Sequence, residues 1–378
     1  MYFIYSSDKI FHKYKGYFCN RLRGYCKTYY FAKKSPMGKP SETTIHDIAR
    51  MLNLSASTVS RALNNNPVIS EKTRNLIMKK AQELGYQPNV MAANLRTRRT
   101  NTIGVILPLI NRHFFSSFIS GVEEVAYQKG FAVTISQSND DFEKEIRIAQ
   151  TFFVNRVDGL IVSLSMQTTT FAHLKIFTDR GVPLAFFDRV PEEIDAHKIV
   201  VDDYRGGYMA TQHLLQQGAI RVAHIGGPLN LMIYRNRHKG YTDALTEAGI
   251  QIDDSLVIHN QLTREDGTNA VKTLMQLPEP PDAVFCANDT TALSAILYLR
   301  EKGIKVPGEV LVVGFSNEPF SEVVTPSIST IRQPGVEMGR KTAEMLIEQI
   351  HNAGKIQGYK TIVMPTELIV RESSVRPA

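Results

Sequence analysis

The chain has 378 residues, room for two to three domains, and its 43% hydrophobic and 21% charged residues exclude a disordered chain. No apolar run nears the ~18–20 residues of a membrane-spanning helix. Three cysteines, Cys19, Cys26 and Cys286, exclude a disulfide framework and a cysteine-rich zinc module and point to a reducing cytoplasm. The net charge of +7 is uneven, with nine Lys/Arg against one acid over residues 1–40 and nine against four over 41–100, so the rest is acidic. A basic end on an acidic body predicts a phosphate-bearing partner that touches one end only.

Residues 1–40 hold eleven aromatics among nine cations with little aliphatic periodicity. A single-strand nucleic-acid surface has this composition. Met37 stands directly before a well-formed domain, however, and residues 1–36 read better as a start assigned too early or a disordered leader.

Residues 41–86 predict three short helices. Thr44 with Asp47 three residues on opens the first, and Ile48, Ala49 and Leu52 give it one apolar face. Ser55 caps a second helix with Val59, Ala62 and Leu63 inward. Ser70 caps a third with Leu76, Ile77, Ala81 and Leu84 inward, and Gly85 stops it. Two short helices about a tight turn, closed by a third, form a helix-turn-helix. Residues 87–101 bridge to the remainder as a hinge, and Asn89 to Leu95 could make two helical turns, too short to hold alone.

From residue 102 to 373, continuous apolar strands alternate with helical patterns, the signature of a parallel, doubly wound α/β body. About 275 residues predict two such sheets with a cleft between them. The expected division is 102–188 with a helix at 334–355, against 190–330 with the final strands 361–364 and 366–370. Chain shared between the halves makes closure around a ligand mechanically natural.

The ordered run Thr44-Ile45-His46-Asp47-Ile48-Ala49, Ser57-Thr58-Val59-Ser60-Arg61-Ala62-Leu63-Asn64, Val68 to Arg74 and Leu84 to Asn89 closely resembles the headpiece of the lac/gal (LacI-type) repressor family of bacterial transcription regulators. The resemblance continues at Asp202-Asp203, Gly226-Gly227, Arg237 to Tyr241, Ala287-Asn288-Asp289 and Val313-Gly314-Phe315, covering about 41–373. It implies an all-α headpiece on a periplasmic-binding-protein-like body. It also implies a repressor, homodimeric and cytoplasmic, that binds a palindromic double-stranded DNA operator under control of a small effector such as a sugar.

The residues fit that chemistry. Ala56 can pack on a thymine methyl, Ser57 can bond a base edge, and Arg61 one turn on can fork onto a guanine. The resemblance places base reading at these three positions. Thr44, Ser55, Thr58, Ser60, Asn64, Ser70 and Thr73 suit phosphate oxygens, though several are equally explained as helix caps. Leu95, followed by Arg96, Arg98 and Arg99, suits a minor-groove wedge. In the family the matching leucine acts from a hinge helix paired across a dimer.

Ligands of open α/β sheets bind at strand ends. Carboxylates, a guanidinium and aromatic faces there suit a polyhydroxylated molecule, and the resemblance implies effector contacts at Phe115, Asp188, Arg237 and Asp289. The purine-sensing branch carries polar residues where this chain has Leu231, Met232 and Ile233, which points away from a purine. No nucleophile-elbow, phosphate-loop or His-Glu-x-x-His pattern occurs, so neither catalysis nor a cofactor or metal is expected. The rival reading is a solute-binding protein or sugar-processing enzyme on the same α/β fold. The former would need a signal peptide and no helix-turn-helix. The chain stops soon after Arg371, without a leucine-heptad tail, so a dimer is expected rather than a tetramer.

Overall fold

The computed structural model describes residues 43–87, 99–352 and 358–376. The expected leader, Leu95 and most of the hinge lie outside the described residues. The chain divides into two compact units, Met1–Val90 and Met91–Ala378.

The first unit holds α1 (Ile45–Leu52), α2 (Ala56–Leu63) and α3 (Glu71–Glu83). Thr44 and Asp47 close a reciprocal capping box on α1. Asn53 ends that helix in the left-handed region, at φ 52°, and Leu54 N–H turns back to the Ala49 carbonyl at 2.9 Å. Ser55 then caps α2 and Ser70 caps α3. Ile48, Val59, Ala62 and Ile77 are fully buried against Ala49 and Ala81. Leu76 departs from expectation, being 53% exposed. The buried stripe of α3 runs through Ile77 and Ala81, and Leu76, one residue off, falls about 100° around the helix.

The second unit is two parallel-stranded lobes. In chain order its elements begin β1 (Thr102–Leu107), α4 (His113–Gln128), β2 (Ala132–Gln137), α5 (Phe142–Val154), β3 (Gly159–Val162), α6 (Ala172–Asp179), β4 (Leu184–Phe187) and β5 (His197–Val201). They continue as α7 (Asp203–Gln216), β6 (Val222–Gly226), α8 (Met232–Glu247), β7 (Val257–His259), α9 (Arg264–Leu274), β8 (Ala283–Cys286) and α10 (Asp289–Glu301). The chain finishes with β9 (Leu311–Phe315), α11 (Phe320–Val323), β10 (Ser329–Arg332), α12 (Gly335–His351), β11 (Thr361–Met364) and β12 (Glu367–Ile369).

The first sheet orders β11-β5-β4-β3-β1-β2 and the second β12-β10-β9-β8-β6-β7. Pairings are parallel except β10 with β12. Their central strands are buried end to end, as sheets covered on both faces must be. In the first lobe α4 and α12 cover one face, and α5 and α6 the other. In the second, α9 and α10 face α7 and α8 across the sheet.

Sheet membership corrects the expected division at two places. Residues 197–201 were expected in the second lobe, but β5 pairs with β4 of the first. Residues 361–364 were also expected there, but β11 adds to the first sheet beside β5, and only β12 joins the second. The chain therefore crosses between lobes at Asp202, at 333–334 and at 365–366. Two crossings are tied together. Asp202 N–H donates to the Met364 carbonyl at 2.9 Å, and Thr366 Oγ1 donates to the Asp202 carbonyl at 3.3 Å.

Within the second lobe α7 and α8 cross at Gly207 and Gly240. A Cβ on Gly207 would collide with the Arg237 carbonyl, and one on Gly240 with that of Tyr204. Glycine here permits backbone-to-backbone contact and sets how closely α7 and α8 approach.

Candidate functional site

The first unit presents the amino-terminal end of α2. Ser57 and Arg61 are exposed there, and Ala56 is half-buried. Small residues at a helix start, with an arginine one turn on, fit a helix that enters a major groove. The polar neighbours divide by their bonds. Ser55 Oγ accepts Thr58 N–H at 3.1 Å and lies 2.8 Å from the hydroxyls of both Ser57 and Thr58. Ser70 pairs likewise with Thr73, and Thr44 with Asp47. Asn64 Nδ2 donates to the Ser60 carbonyl at 2.7 Å. These groups hold the helix ends, and the exposed hydroxyls keep lone pairs and protons for phosphate oxygens.

In the second unit a cavity of about 300 Å³ lies between the lobes. Its walls come from residues that follow strands: Asn139 and Asp140 after β2, Asp188 and Arg189 after β4, and Ala287, Asn288 and Asp289 after β8. All four expected effector residues, Phe115, Asp188, Arg237 and Asp289, line it.

Their roles differ. Arg237, 3% exposed, donates from Nε to Asp203 Oδ1 at 2.8 Å and from Nη1 to the Ala287 carbonyl at 2.8 Å. Its guanidinium lies 3.6 Å above the Phe315 ring. Among the described residues Nη2 has no hydrogen-bond partner, which leaves that donor for a ligand. Burial pushes the Asp203 carboxyl up to about 7, against the lowering pull of Arg237.

Asp188 sits in the left-handed region at φ 57° and is 5% exposed. Burial raises its carboxyl above the ordinary range, opposed by Arg189 and Arg237. Arg189 Nε stands 4.0 Å from Asp188 Oδ2, an ion-pair distance but too long for a hydrogen bond. That Nε is buried without a hydrogen-bond partner among the described residues. A buried donor and a buried carboxylate, side by side and not bonded to one another, are what a hydroxyl group would complete.

Asp289 is fully buried, and its two oxygens are engaged. Oδ2 accepts Glu318 N–H at 2.7 Å and Oδ1 accepts Thr330 Oγ1 at 2.6 Å. Burial pushes its carboxyl up to about 7. Asp289 thus builds the wall, whereas Asp188 and Arg237 face the space. Phe115 packs edge-on to Phe187 at 6.0 Å and supplies an apolar surface.

Arg189, which follows the fourth strand beside Asp188 and was a cleft candidate from the sequence, also lines it, and so do Tyr234, Phe315 and Gln333, which were not singled out. Phe315 stood within a family-like motif but carried no charge to mark it.

The lobes also touch across the cavity mouth. Arg112 Nη1 donates to Thr290 Oγ1, and His113 N–H donates to the Glu318 carboxylate at 3.2 Å. Asn230 Nδ2 donates to the Met166 carbonyl at 3.1 Å, and Arg235 Nη2 to Glu192 at 2.6 Å.

A helix-turn-helix joined in one chain to a two-lobed α/β cleft with a polar, buried lining defines a ligand-responsive DNA-binding regulator. Residues 44–89 match the family described as bacterial regulatory proteins, lacI family, and 211–374 match the periplasmic binding protein-like domain. The transcriptional regulator DegA of Bacillus subtilis (strain 168) is 35% identical over 334 residues, 88% of this chain and 98% of DegA. The chain belongs to the LacI family of bacterial transcription regulators. Among solved structures, a complex of the transcriptional regulator CelR with cellobiose is 30% identical with a TM-score of 0.67, covering 88% of this chain and 100% of that one. A lac repressor dimer bound to operator and the anti-inducer ONPF shares the fold, with a TM-score of 0.77 at 24% identity over 88% of this chain and 99% of that one. No helix among the described residues is long and apolar enough to cross a membrane.

Proposed function

We propose that this chain is a cytoplasmic, non-enzymatic repressor, homodimeric on a palindromic operator and controlled by a neutral or weakly charged sugar. The observation that carries the effector reading is the Asp188–Arg189 pair beside Arg237. A sugar hydroxyl donates to the Asp188 carboxylate and accepts from Arg189 Nε or Arg237 Nη2, while Phe115 and Phe315 meet the apolar face of the ring. The cellobiose named for the CelR structure is a ligand of this chemical kind.

The ligand acts by binding the closed cleft better than the open one, and only that difference shifts the equilibrium. A coupling of about 1–3 kcal/mol is the expected scale. Arg237→Ala should abolish the effector response and leave ligand-free DNA binding near the parent's. Calorimetric titration of candidate sugars checks it. A sugar that shifts DNA affinity yet binds the parent and Arg237→Ala equally would sink the cleft assignment.

On the DNA side, Ala56, Ser57 and Arg61 read bases, Leu95 wedges the minor groove, and Thr44, Ser55, Thr58, Ser60, Asn64, Ser70 and Thr73 position the unit on phosphates. Arg61→Ala should cost about 1–3 kcal/mol on the specific site and relax one base position. Operator titrations against random DNA check this. Equal losses on both would make Arg61 a phosphate contact.

A further inference from the structure

The first lobe carries a second cavity, of about 490 Å³, at the opposite end of its sheet from the cleft. The cleft follows the strands, whereas this cavity is built from residues that precede them: Arg99 before β1, Val157 and Asp158 before β3, Val182 and Pro183 before β4. Phe153, Phe177 and Ile350 give it apolar walls, and Arg156 and Arg180 stand at its edge. Neither arginine is in a salt bridge with a described acid. Among the described residues the only carboxylate in the lining, Asp158, is already spent. It accepts the Thr100 and Asn101 N–H groups at 3.0 and 2.7 Å.

Arg156 and Arg180 lie just past the ends of α5 and α6, where a cation meets a helix's negative end. Capping accounts for cations there. It does not account for Gln349 on α12, which lines this cavity and a smaller neighbour that shares Gly181, Val182 and Pro183 with it. Gln349 is 7% exposed, and its Oε1 is buried without a hydrogen-bond partner among the described residues. A buried amide oxygen left unbonded costs stability unless something completes it.

We propose that this cavity is a second ligand site, for an amphipathic anion with a flat apolar body and one phosphate or carboxylate group. The body lies against Phe153, Phe177 and Ile350, Gln349 bonds a polar atom on it, and the anionic group meets the forked donors of Arg156 and Arg180. The site includes Arg99 and adjoins the Thr100 and Asn101 amides that Asp158 holds.

The test is calorimetric titration of the full chain with 1-naphthyl phosphate, with inorganic phosphate as a second titrant. One naphthyl phosphate should bind per chain, more tightly than phosphate alone. Arg156→Ala/Arg180→Ala should weaken it about tenfold or more, Gln349→Leu should weaken it less, and Arg237→Ala in the cleft should leave it unchanged. Matching thermal melts for the variants keep the comparison fair. No binding, binding untouched by the double substitution, or binding lost in Arg237→Ala overturns the proposal. So does a double variant whose only defect is weaker, less salt-dependent DNA binding, which would assign the arginines to DNA phosphates.

Discussion

His224 shows what one residue can impose on the acid limit of the molecule. It is fully buried on β6, with Nδ1 3.1 Å from the Phe285 carbonyl and its ring stacked between Phe285 and Tyr241. Burial pushes its imidazole down to about 3. In the unfolded chain it takes a proton near 6.5. Below 6.5 the unfolded state binds a proton that the folded state refuses, so stability present above that pH drains away as pH falls toward 3. Asp203 and Asp289 act in the opposite sense. Their raised values mean that the folded state keeps protons the unfolded state has released above about 4, so their contribution fades as pH rises toward 7. Replacing His224 by Gln removes one of the opposing slopes. The gap in unfolding free energy between parent and His224→Gln should narrow by about 2 kcal/mol from pH 6.5 to pH 5. Denaturant melts at the two pH values check it, and parallel pH curves would show that His224 titrates normally.

At the scale of elements, the crossing of α7 and α8 links packing to the cleft. Gly207 lies against the backbone of Arg237, the residue whose guanidinium must reach Asp203, Ala287 and the cavity at once. Gly207→Ala adds one methyl group where there is no room, so α8 must move. The expected result is a loss of about 1–3 kcal/mol in stability, with a disproportionate loss of sugar affinity. Gly218→Ala, at a positive-φ turn with open space around it, serves as a control that strains the chain without shifting α8. Equal sugar affinity in parent and Gly207→Ala would separate the crossing from the site. The long amphipathic helices and the buried strands were legible because each repeats a period over many residues. Some short ones were not. β10 carries buried Ser329 and Thr330, whose hydroxyls bond Ser374 and Asp289, and so shows no apolar run. α6 and β7 are too brief to set a period. Asp188 and Arg237 could be read from strand ends, but the difference between Asp188, which faces the space, and Asp289, which holds a wall, depends on Glu318 and Thr330, far along the chain.

For the whole molecule, the reading of a palindrome by one headpiece per half-site requires two copies. Sedimentation equilibrium at micromolar concentration should give twice the 42.5 kDa chain mass, with and without sugar. A mass near one chain or four chains would refute the proposed homodimer. Closure within one chain is a separate matter. It turns on Asp202, 333–334 and 365–366, and the Asp202 bonds to Met364 and Thr366 make two of the three crossings move as one. The contacts from Arg112 to Thr290 and from His113 to Glu318 bridge the lobes, so any opening of the cleft must break them.

The same crossings set the order in which the molecule can be finished as it is made. The ribosome delivers β1 to β5 first, yet that sheet lacks α12 and its edge strand β11 until residues beyond 334 have emerged. The second sheet waits in turn for β12, the last strand of all. Both lobes therefore stay open to water, one bare along the face that α12 will cover, until about the last 2–9 s of synthesis at ~5–20 residues per second has begun. Neither lobe can be released early as a finished piece, and a chain cut short by even forty residues loses a part of both.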